Sequence, residues 1–247
     1  MNIQDSLVRL DKLSQVCKSS RLMRALWRYR VLVGAEHRHV LARELGVVID
    51  IGANRGQFAL AVRHWAPSAE VISFEPLPGP AAIFRGVFAG DDRVALHQAA
   101  IGPCPEQRTM HVSARDDSSS LLPISSVQTT MFPGTGEVAT TEVRVGPLAE
   151  FVKAGALRSP AMLKLDVQGF EQEALIGCES MLPYFDLVYC ECSYVEFYSG
   201  QKLAPDIIAW LDEKGFAIDG IHNTAYDSNG QAVQADFLFL RRNVKAR

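Results

Sequence analysis

The sequence VVIDIGANRG, residues Val47–Gly56, decides the fold of this chain. It opens with an apolar run of the kind that is buried on both faces of a parallel sheet, and a DxGxxxG turn follows. Glycines at positions 52 and 56 let the backbone approach a ligand that Cβ atoms would exclude. The free N–H groups at the start of the next helix face the same ligand. The stretch therefore predicts a strand, a ligand-binding turn and a helix.

Apolar runs alternate with helical periodicities along the rest of the chain. Strands are predicted at Val47–Ile51, Val71–Phe74, Arg93–Leu96, Met162–Leu165, Asp186–Glu191, Phe216–Ile218 and Asp236–Leu240. Helices are predicted at about Gln57–Trp65, Pro80–Phe88, Glu171–Cys178 and Pro205–Lys214. This alternation is typical of βαβ units in a parallel sheet, which the last two strands are expected to close as an antiparallel pair.

Length and composition fit one α/β domain with additions. The chain has 247 residues, of which 48% are hydrophobic and 21% charged, and its net charge of −3 gives no general signal for nucleic-acid binding. No apolar run is long enough for a membrane helix, and the N-terminus lacks the apolar core of a signal peptide. The five cysteines include no CxxC pair, so we expect free thiols, no zinc site and a cytoplasmic location.

The first 45 residues differ from the rest in charge. They contain nine basic and four acidic residues, a net charge of +5, and Leu7, Leu10 and Leu13 recur at helical spacing. We predict an N-terminal helical extension at residues 1–45 and a catalytic domain at residues 46–242. The basic segment is either a solvated helix face or a peripheral contact with an anionic membrane, and it could also form a homo-oligomer.

Residues 103–147 differ in composition from the flanking βα units. They carry five prolines and many Ser and Thr residues, and short strands are predicted at Thr109–Val112 and Val138–Val145. A segment this long between core elements is often a lid or a binding region. We therefore expect this insertion to shape a substrate pocket.

Glu75 ends the second predicted strand, 23 residues after Gly52. A carboxylate there can accept hydrogen bonds from both ribose hydroxyls of a nucleoside, as it does in NAD sites. Gln98, after the third strand, is placed to bond an adenine edge. A dinucleotide-dependent oxidoreductase is the alternative, but its GxGxxG turn is not present, because Asn54 and Gln57 stand where glycines are needed.

LKLDVQGFE, residues 163–171, places two charged residues at the end of a predicted strand. Lys164 and Asp166 lie on the same side because side chains alternate along a strand. Ligands bind at the carboxyl ends of strands in open α/β sheets, so the pair is either functional or a structural ion pair.

Together these motifs resemble the FkbM family of S-adenosylmethionine (SAM)-dependent methyltransferases. The segments that carry the resemblance run in family order from Val47 to Gly177: VVIDIGANRGQF, ISFEPLPG, HQAAIG, SSSLLP and LKLDVQGFEQEALIG. Residues 1–45 lie outside them. The family often has a glutamate where this chain has Gln168, and an amide can neither take a proton nor bind a metal as a carboxylate does.

The resemblance implies a Rossmann-like class I methyltransferase fold, with helices on both faces of a seven-stranded, mostly parallel sheet in the order 3-2-1-4-5-7-6. It implies O-methylation of a small molecule, commonly a hydroxyl on a sugar, glycolipid or polyketide-type product. It also implies that SAM is bound by Asp50, Gly52, Asn54, Gly56, Glu75 and Gln98.

Methyl transfer to a hydroxyl needs alignment of the acceptor oxygen and removal of its proton. Asp166 is the expected base, with Lys164 orienting it or stabilising the developing oxyanion, and Glu191 and His222 are secondary candidates. Asp166 and Glu191 could together hold Mg²⁺. The other alternative is a non-catalytic binding module that keeps the fold without the reaction.

Overall fold

A computed structural model describes residues 19–242. Its strands are β1 Val47–Ile51, β2 Glu70–Phe74, β3 Val94–His97, β4 Ala100–Ile101, β5 Glu106–Ser113, β6 Glu137–Gly146, β7 Ala161–Leu165, β8 Leu187–Ser193, β9 Phe216–Tyr226 and β10 Ala232–Arg241. Its α-helices are α1 Ser20–Tyr29, α2 Arg38–Leu41, α3 Gln57–Trp65, α4 Pro78–Val87, α5 Ser126–Met131, α6 Glu171–Gly177 and α7 Ala204–Glu213.

Seven strands form one sheet in the order β3-β2-β1-β7-β8-β10-β9. β10 runs antiparallel to β8 and β9, and the other neighbouring strands of this sheet are parallel to each other. When the strands of this sheet alone are numbered along the chain, the order is 3-2-1-4-5-7-6. The predicted Rossmann-like methyltransferase fold is therefore confirmed.

The last hairpin is longer than predicted. β9 covers 11 residues and β10 covers 10, whereas the apolar runs indicated only their most buried parts. Most of β9 is exposed or half-buried, so its sequence lacks the continuous apolar pattern of a central strand.

The sheet is packed on both faces because alternate side chains of each central strand point in opposite directions. On β1, Ile49 belongs to one apolar cluster and Val48 to the other. Leu22, Val33 and Leu41 from the N-terminal segment pack into the cluster that contains Val48. The described part of that segment thus shares the core of the sheet. Residues 1–18, with Cys17 and the first 18 of the 45 residues of the predicted extension, lie outside the described residues.

The insertion contributes β5 and β6 to a second sheet of three strands, in the order β4-β6-β5, and β4 lies just before the insertion. Its apolar side packs against Phe170, Phe197 and Tyr198, which follow β7 and β8. The insertion is therefore anchored beside the carboxyl ends of the central strands, where α/β proteins bind ligands.

The four cysteines within the described residues are free thiols, as the sequence predicts. Cys178, Cys190 and Cys192 are buried and Cys104 is exposed, and none of these four forms a disulfide. Within residues 19–242, no helix combines the length and apolarity that a membrane crossing requires.

Leu41→Ala is expected to destabilise the whole protein by about 2–5 kcal/mol, because it opens a cavity in the shared core. Leu41 is fully buried, whereas Trp27 in the same segment is 83% exposed. Urea unfolding measures the change, and Trp27→Ala is the control, expected to stay within about 0.5 kcal/mol of the wild type. Equal effects of the two substitutions would show that this segment is not part of the cooperative core.

Candidate functional site

A cavity of about 320 Å³ opens at the carboxyl ends of β1, β2 and β7. Its wall includes the turn Gly52–Asn54, Glu75, the apolar residues Ala99–Ile101 and the strand-end residues Lys164 and Asp166. Three elements that are distant in sequence therefore meet around one space, as the strand order requires.

The glycine turn is shaped by close contacts between backbones. Gly52 has a φ of +79°, and a Cβ at this position would lie 1.8 Å from the carbonyl oxygen of Asp166. Gly56, with a φ of +95°, is packed against Phe84 and Phe88 and is not on the cavity wall. Gly52 is thus needed where two strand ends approach, and Gly56 is needed for packing behind the turn.

Glu75 is held beside this turn by backbone amides. Its two carboxylate oxygens accept hydrogen bonds from Asn54 N at 2.9 Å and Leu77 N at 2.8 Å. The residue is only 5% exposed. Burial raises the pKa of Glu75 to about 7, although the two amides oppose this change. Since a carboxylate has about four acceptor positions, lone pairs remain for hydroxyl donors in the cavity.

Lys164 and Asp50 form a buried ion pair below the turn. Lys164 Nζ lies 3.0 Å from Asp50 Oδ1 and donates to the carbonyl oxygen of Gly52 at 3.0 Å. Burial opposes the charged form of Lys164, but the carboxylates of Asp50 and Asp166 outweigh it and raise the pKa of the lysine. Lys164 is therefore a cation, and Asp50, which is off the cavity wall, supports the turn from behind.

Asp166 reaches the cavity, and its side chain is 40% exposed. Its carboxylate is 3.9 Å from Lys164 Nζ, so the lysine is closer to Asp50 than to the acid that it was expected to orient. Gln168 Nε2 donates to Asp166 Oδ1 at 2.7 Å and to Glu191 Oε2 at 3.1 Å.

The Gln168 amide therefore lies between the two acids that were expected to hold Mg²⁺. An amide nitrogen is a donor and does not bind a cation. Within residues 19–242, no cluster of three or more His, Cys, Asp or Glu side chains suits a metal ion. The expected magnesium site is not supported.

Glu191 lies behind Asp166 and is not on the cavity wall. Burial, followed by the negative charges of Asp166 and Asp236, raises the pKa of Glu191 well above its ordinary value. Two neighbouring carboxylates do not both ionise readily, so this arrangement favours a protonated Glu191.

Gln98 and His222 are not brought to the cavity wall. The exposed Gln98 accepts a hydrogen bond from Arg85 at 3.1 Å, and the wall next to it is formed by Ala99–Ile101. His222 packs edge-on against Tyr189, with 6.3 Å between the ring centroids. Alternation along the chain places Gln98 on the solvent side.

The insertion supplies part of the wall and is tied to the glycine turn. Asp116 accepts from Arg55 Nε at 2.7 Å, and Asp116, Ser119 and Leu121 line the cavity. Tyr198 donates to Gln168 Oε1 at 2.8 Å. These contacts were not predicted, since they join segments without a shared motif.

A second polar cluster was also missed, and it combines His37 with Tyr189, Asn223 and Asp236. His37 comes from the N-terminal segment and lines the cavity, whereas the other three come from β8, β9 and β10. Asp236 and Tyr189 lie on adjacent strands, and their hydrogen bond is 2.8 Å long. Only the strand order brings these residues together, so no local pattern could have indicated them.

Comparison with known proteins agrees with the site. Residues 50–218 match the family model of the methyltransferase FkbM domain. Over 166 residues the chain is 30% identical to the 2-O-methyltransferase NoeI of Sinorhizobium fredii, an alignment that covers 63% of this chain and 66% of NoeI, just under two thirds of that relative. It is 23% identical over 186 residues to Methyltransferase 1 of Beauveria bassiana, which covers 69% and 72% of the two chains.

Among solved structures, the chain is similar to the O-methyltransferase NcsB1 from neocarzinostatin biosynthesis, in complex with S-adenosyl-L-homocysteine (SAH) and 1,4-dihydroxy-2-naphthoic acid. The TM-score is 0.46 and the identity 12%, with 84% of this chain and 52% of NcsB1 covered. The family match begins at residue 50, so His37 lies outside it.

Lys164→Met is expected to destabilise the protein by about 3–5 kcal/mol, because it leaves the Asp50 carboxylate buried without a counter-charge. Urea unfolding measures the loss. Adding Asp50→Asn to Lys164→Met removes the unpaired charge and should recover part of that loss. If the double variant loses the sum of the two single losses, the pair is not coupled.

Proposed function

The chain belongs to the FkbM family of SAM-dependent methyltransferases, and on that premise we propose that it methylates a hydroxyl group of a small molecule that carries a sugar. The observation that carries the proposal is the buried Glu75 carboxylate, held by Asn54 N at 2.9 Å beside the glycine turn and facing the cavity. Such a carboxylate suits the ribose of a nucleoside cofactor.

The residues around the cavity fit SAM. Glu75 would accept hydrogen bonds from the ribose hydroxyls, the backbone of Gly52–Asn54 would contact the amino-acid portion, and Ala99–Ile101 leave room for the adenine ring. When bound, SAM supplies a methyl group activated by a sulfonium. The match to a methyltransferase family decides against the dinucleotide-dependent oxidoreductase.

Asp166 is the residue that we propose to hold the acceptor hydroxyl. Its carboxylate is partly exposed in the cavity, and a carboxylate oxygen can accept a hydrogen bond from a hydroxyl and so align its oxygen. Lys164 and the Gln168 amide would keep the Asp166 carboxylate in place. The hydroxyl acceptor is supported by the relative NoeI, a 2-O-methyltransferase.

The sugar-containing acceptor follows from the family resemblance. A lipid-linked sugar would suit the basic N-terminal segment, which we propose as a peripheral contact with an anionic membrane. A homo-oligomer built through the same segment is the alternative use of that surface.

The test of the proposed function uses tritium-labelled SAM and a panel of methyl glycosides of hexoses and 6-deoxyhexoses. We expect label in at least one glycoside, at a hydroxyl position that mass spectrometry identifies. Binding of SAH without label in any glycoside would instead support the non-catalytic binding module.

Glu75→Gln is expected to weaken SAH binding and to remove its dependence on pH. Because the pKa of Glu75 is raised to about 7, most of the carboxyl is protonated at pH 6, and a hydroxyl donor needs the ionised form. Wild-type affinity should therefore rise about tenfold from pH 6 to pH 8. Calorimetry measures both proteins, and the exposed Glu142→Gln is the control that should keep the wild-type profile.

Asp166→Asn is expected to lower kcat by about 10²-fold, because the amide holds the acceptor hydroxyl less well. The dissociation constant for SAH should stay within about threefold, since Asp166 is not among the cofactor contacts that we propose. Turnover equal to the wild type, measured on the glycoside that the panel identifies, would remove Asp166 from the reaction.

A further inference from the structure

We propose that His37 accepts the proton of the acceptor hydroxyl, and that Tyr189 and Asp236 are positioning residues that hold its ring. The proposal rests on the proposed methyl transfer and extends it to a residue outside the region that matches the family.

Hydrogen bonds decide which nitrogen of His37 is free. Tyr189 donates to Asp236 Oδ2 at 2.8 Å, and the tyrosine oxygen lies 3.0 Å from His37 Nδ1. Because the tyrosine proton is used toward Asp236, Nδ1 must be the donor in the contact with Tyr189. A neutral imidazole then has its lone pair on Nε2.

Asn223 reinforces this assignment. Its side-chain amide donates to Asp236 Oδ2 at 2.7 Å and to the tyrosine oxygen at 3.2 Å. The Asp236 carboxylate is thus fixed as an acceptor. Hydrogen bonds are therefore donated in one direction, from His37 to Tyr189 and from Tyr189 to Asp236. Within residues 19–242, Nε2 makes no hydrogen bond, and Glu36 Oε1 is 3.9 Å away from it.

His37 stands on the cavity wall together with Lys164 and Asp166. Its ring packs edge-on against Phe58, with 5.0 Å between centroids, and Lys164 Nζ is 5.4 Å from the centroid of the same Phe58 ring. The side chain of His37 is 17% exposed. The imidazole is therefore held rigidly on the wall of the cavity that Asp166 also reaches.

The charges around His37 suit a base. Burial lowers the pKa of His37, although Asp236, Glu36 and Asp166 oppose the change and Lys164 adds to it. The ring is neutral at pH 7, and Asp236 and Glu36 stabilise the imidazolium once the proton has arrived. One oxygen of Asp166 already accepts from the Gln168 amide at 2.7 Å, whereas the neutral His37 has a lone pair on Nε2 for the hydroxyl proton.

The proposed methyl transfer is a displacement at the methyl carbon. The acceptor oxygen forms a bond to the methyl carbon while the carbon–sulfur bond breaks, and the electron pair of that bond stays on sulfur to give SAH. The hydroxyl proton passes to Nε2 of His37, and the resulting imidazolium returns it to solvent after the products leave.

The kinetic test compares His37→Gln with His39→Gln, an exposed histidine in the same segment. With saturating SAM and the glycoside that the panel identifies, His37→Gln should lower kcat by about 10²-fold or more, and His39→Gln should keep the wild-type value. The wild-type kcat should rise with pH as His37 loses its proton, with a pKa below 6.5. In His37→Gln this rise of kcat with pH should be absent. Imidazole added to His37→Ala should restore turnover. Unchanged kcat in His37→Gln would overturn the proposal.

A second measurement needs no acceptor. In ¹⁵N spectra of the SAH-bound protein at pH 7, the His37 ring, assigned by its loss in His37→Gln, should carry its proton on Nδ1 and none on Nε2. Tyr189→Phe should disturb this tautomer. In the kinetic test described above, Tyr189→Phe should also shift the pH at which kcat rises, while the KM for the glycoside stays close to the wild-type value. A proton on Nε2, or an imidazolium at pH 7, would overturn the base role whether or not a glycoside is methylated. If the spectra agree and no glycoside is labelled, the proposed function fails, and the base role with it.

Discussion

The site depends on the contacts that the buried ammonium group of Lys164 makes. It joins β7 to β1 through Asp50 at 3.0 Å and to the glycine turn through the Gly52 carbonyl at 3.0 Å. Asp50 lies on β1, the strand that pairs with β7, and Gly52 lies in the turn that follows β1. A charge taken out of water is tolerated only when its partners are well placed. The contacts of Lys164 therefore limit the relative positions of the carboxyl ends of β1 and β7. Gly52 completes the constraint, because no side chain fits between it and Asp166.

Three carboxyl groups near the cavity, Glu75, Glu191 and Asp166, differ in their surroundings. Glu75 and Glu191 have raised pKa values, chiefly through burial. Asp166 is partly exposed and accepts from the Gln168 amide at 2.7 Å. A site that combines a partly exposed carboxyl group, a buried acid with a raised pKa and a neutral histidine suits the alignment of a hydroxyl and the removal of its proton without a metal ligand set.

The cavity wall also shows how additions to a common fold can shape a pocket. The central sheet supplies the turn and the ends of β1, β2 and β7, whereas Asp116 and Leu121 come from the insertion and His37 from the N-terminal segment. The contact between Arg55 and Asp116 ties the insertion to the turn at 2.7 Å. Fold does not determine substrate, and in this chain parts outside the central sheet face the cavity.

Local pattern was enough for the central strands, the glycine turn, Glu75 and the pair of Lys164 and Asp166. Apolar runs, glycines and strand-end charges are all readable from residues close together in the chain, because the period of a strand and the position of a turn are local properties. The same patterns failed where a partner comes from far away. Gln98 was expected to bond the adenine edge, but in the fold its side chain is exposed and accepts from Arg85. The amide of Gln168 filled the space between two acids that had suggested a metal, and the cluster of His37, Tyr189 and Asp236 exists only because β10 is inserted next to β8. The sequence by itself determined which segments form the sheet and where its ligand-binding edge lies, whereas only the tertiary structure decided which side chains meet there, since distances between remote residues depend on strand order and packing.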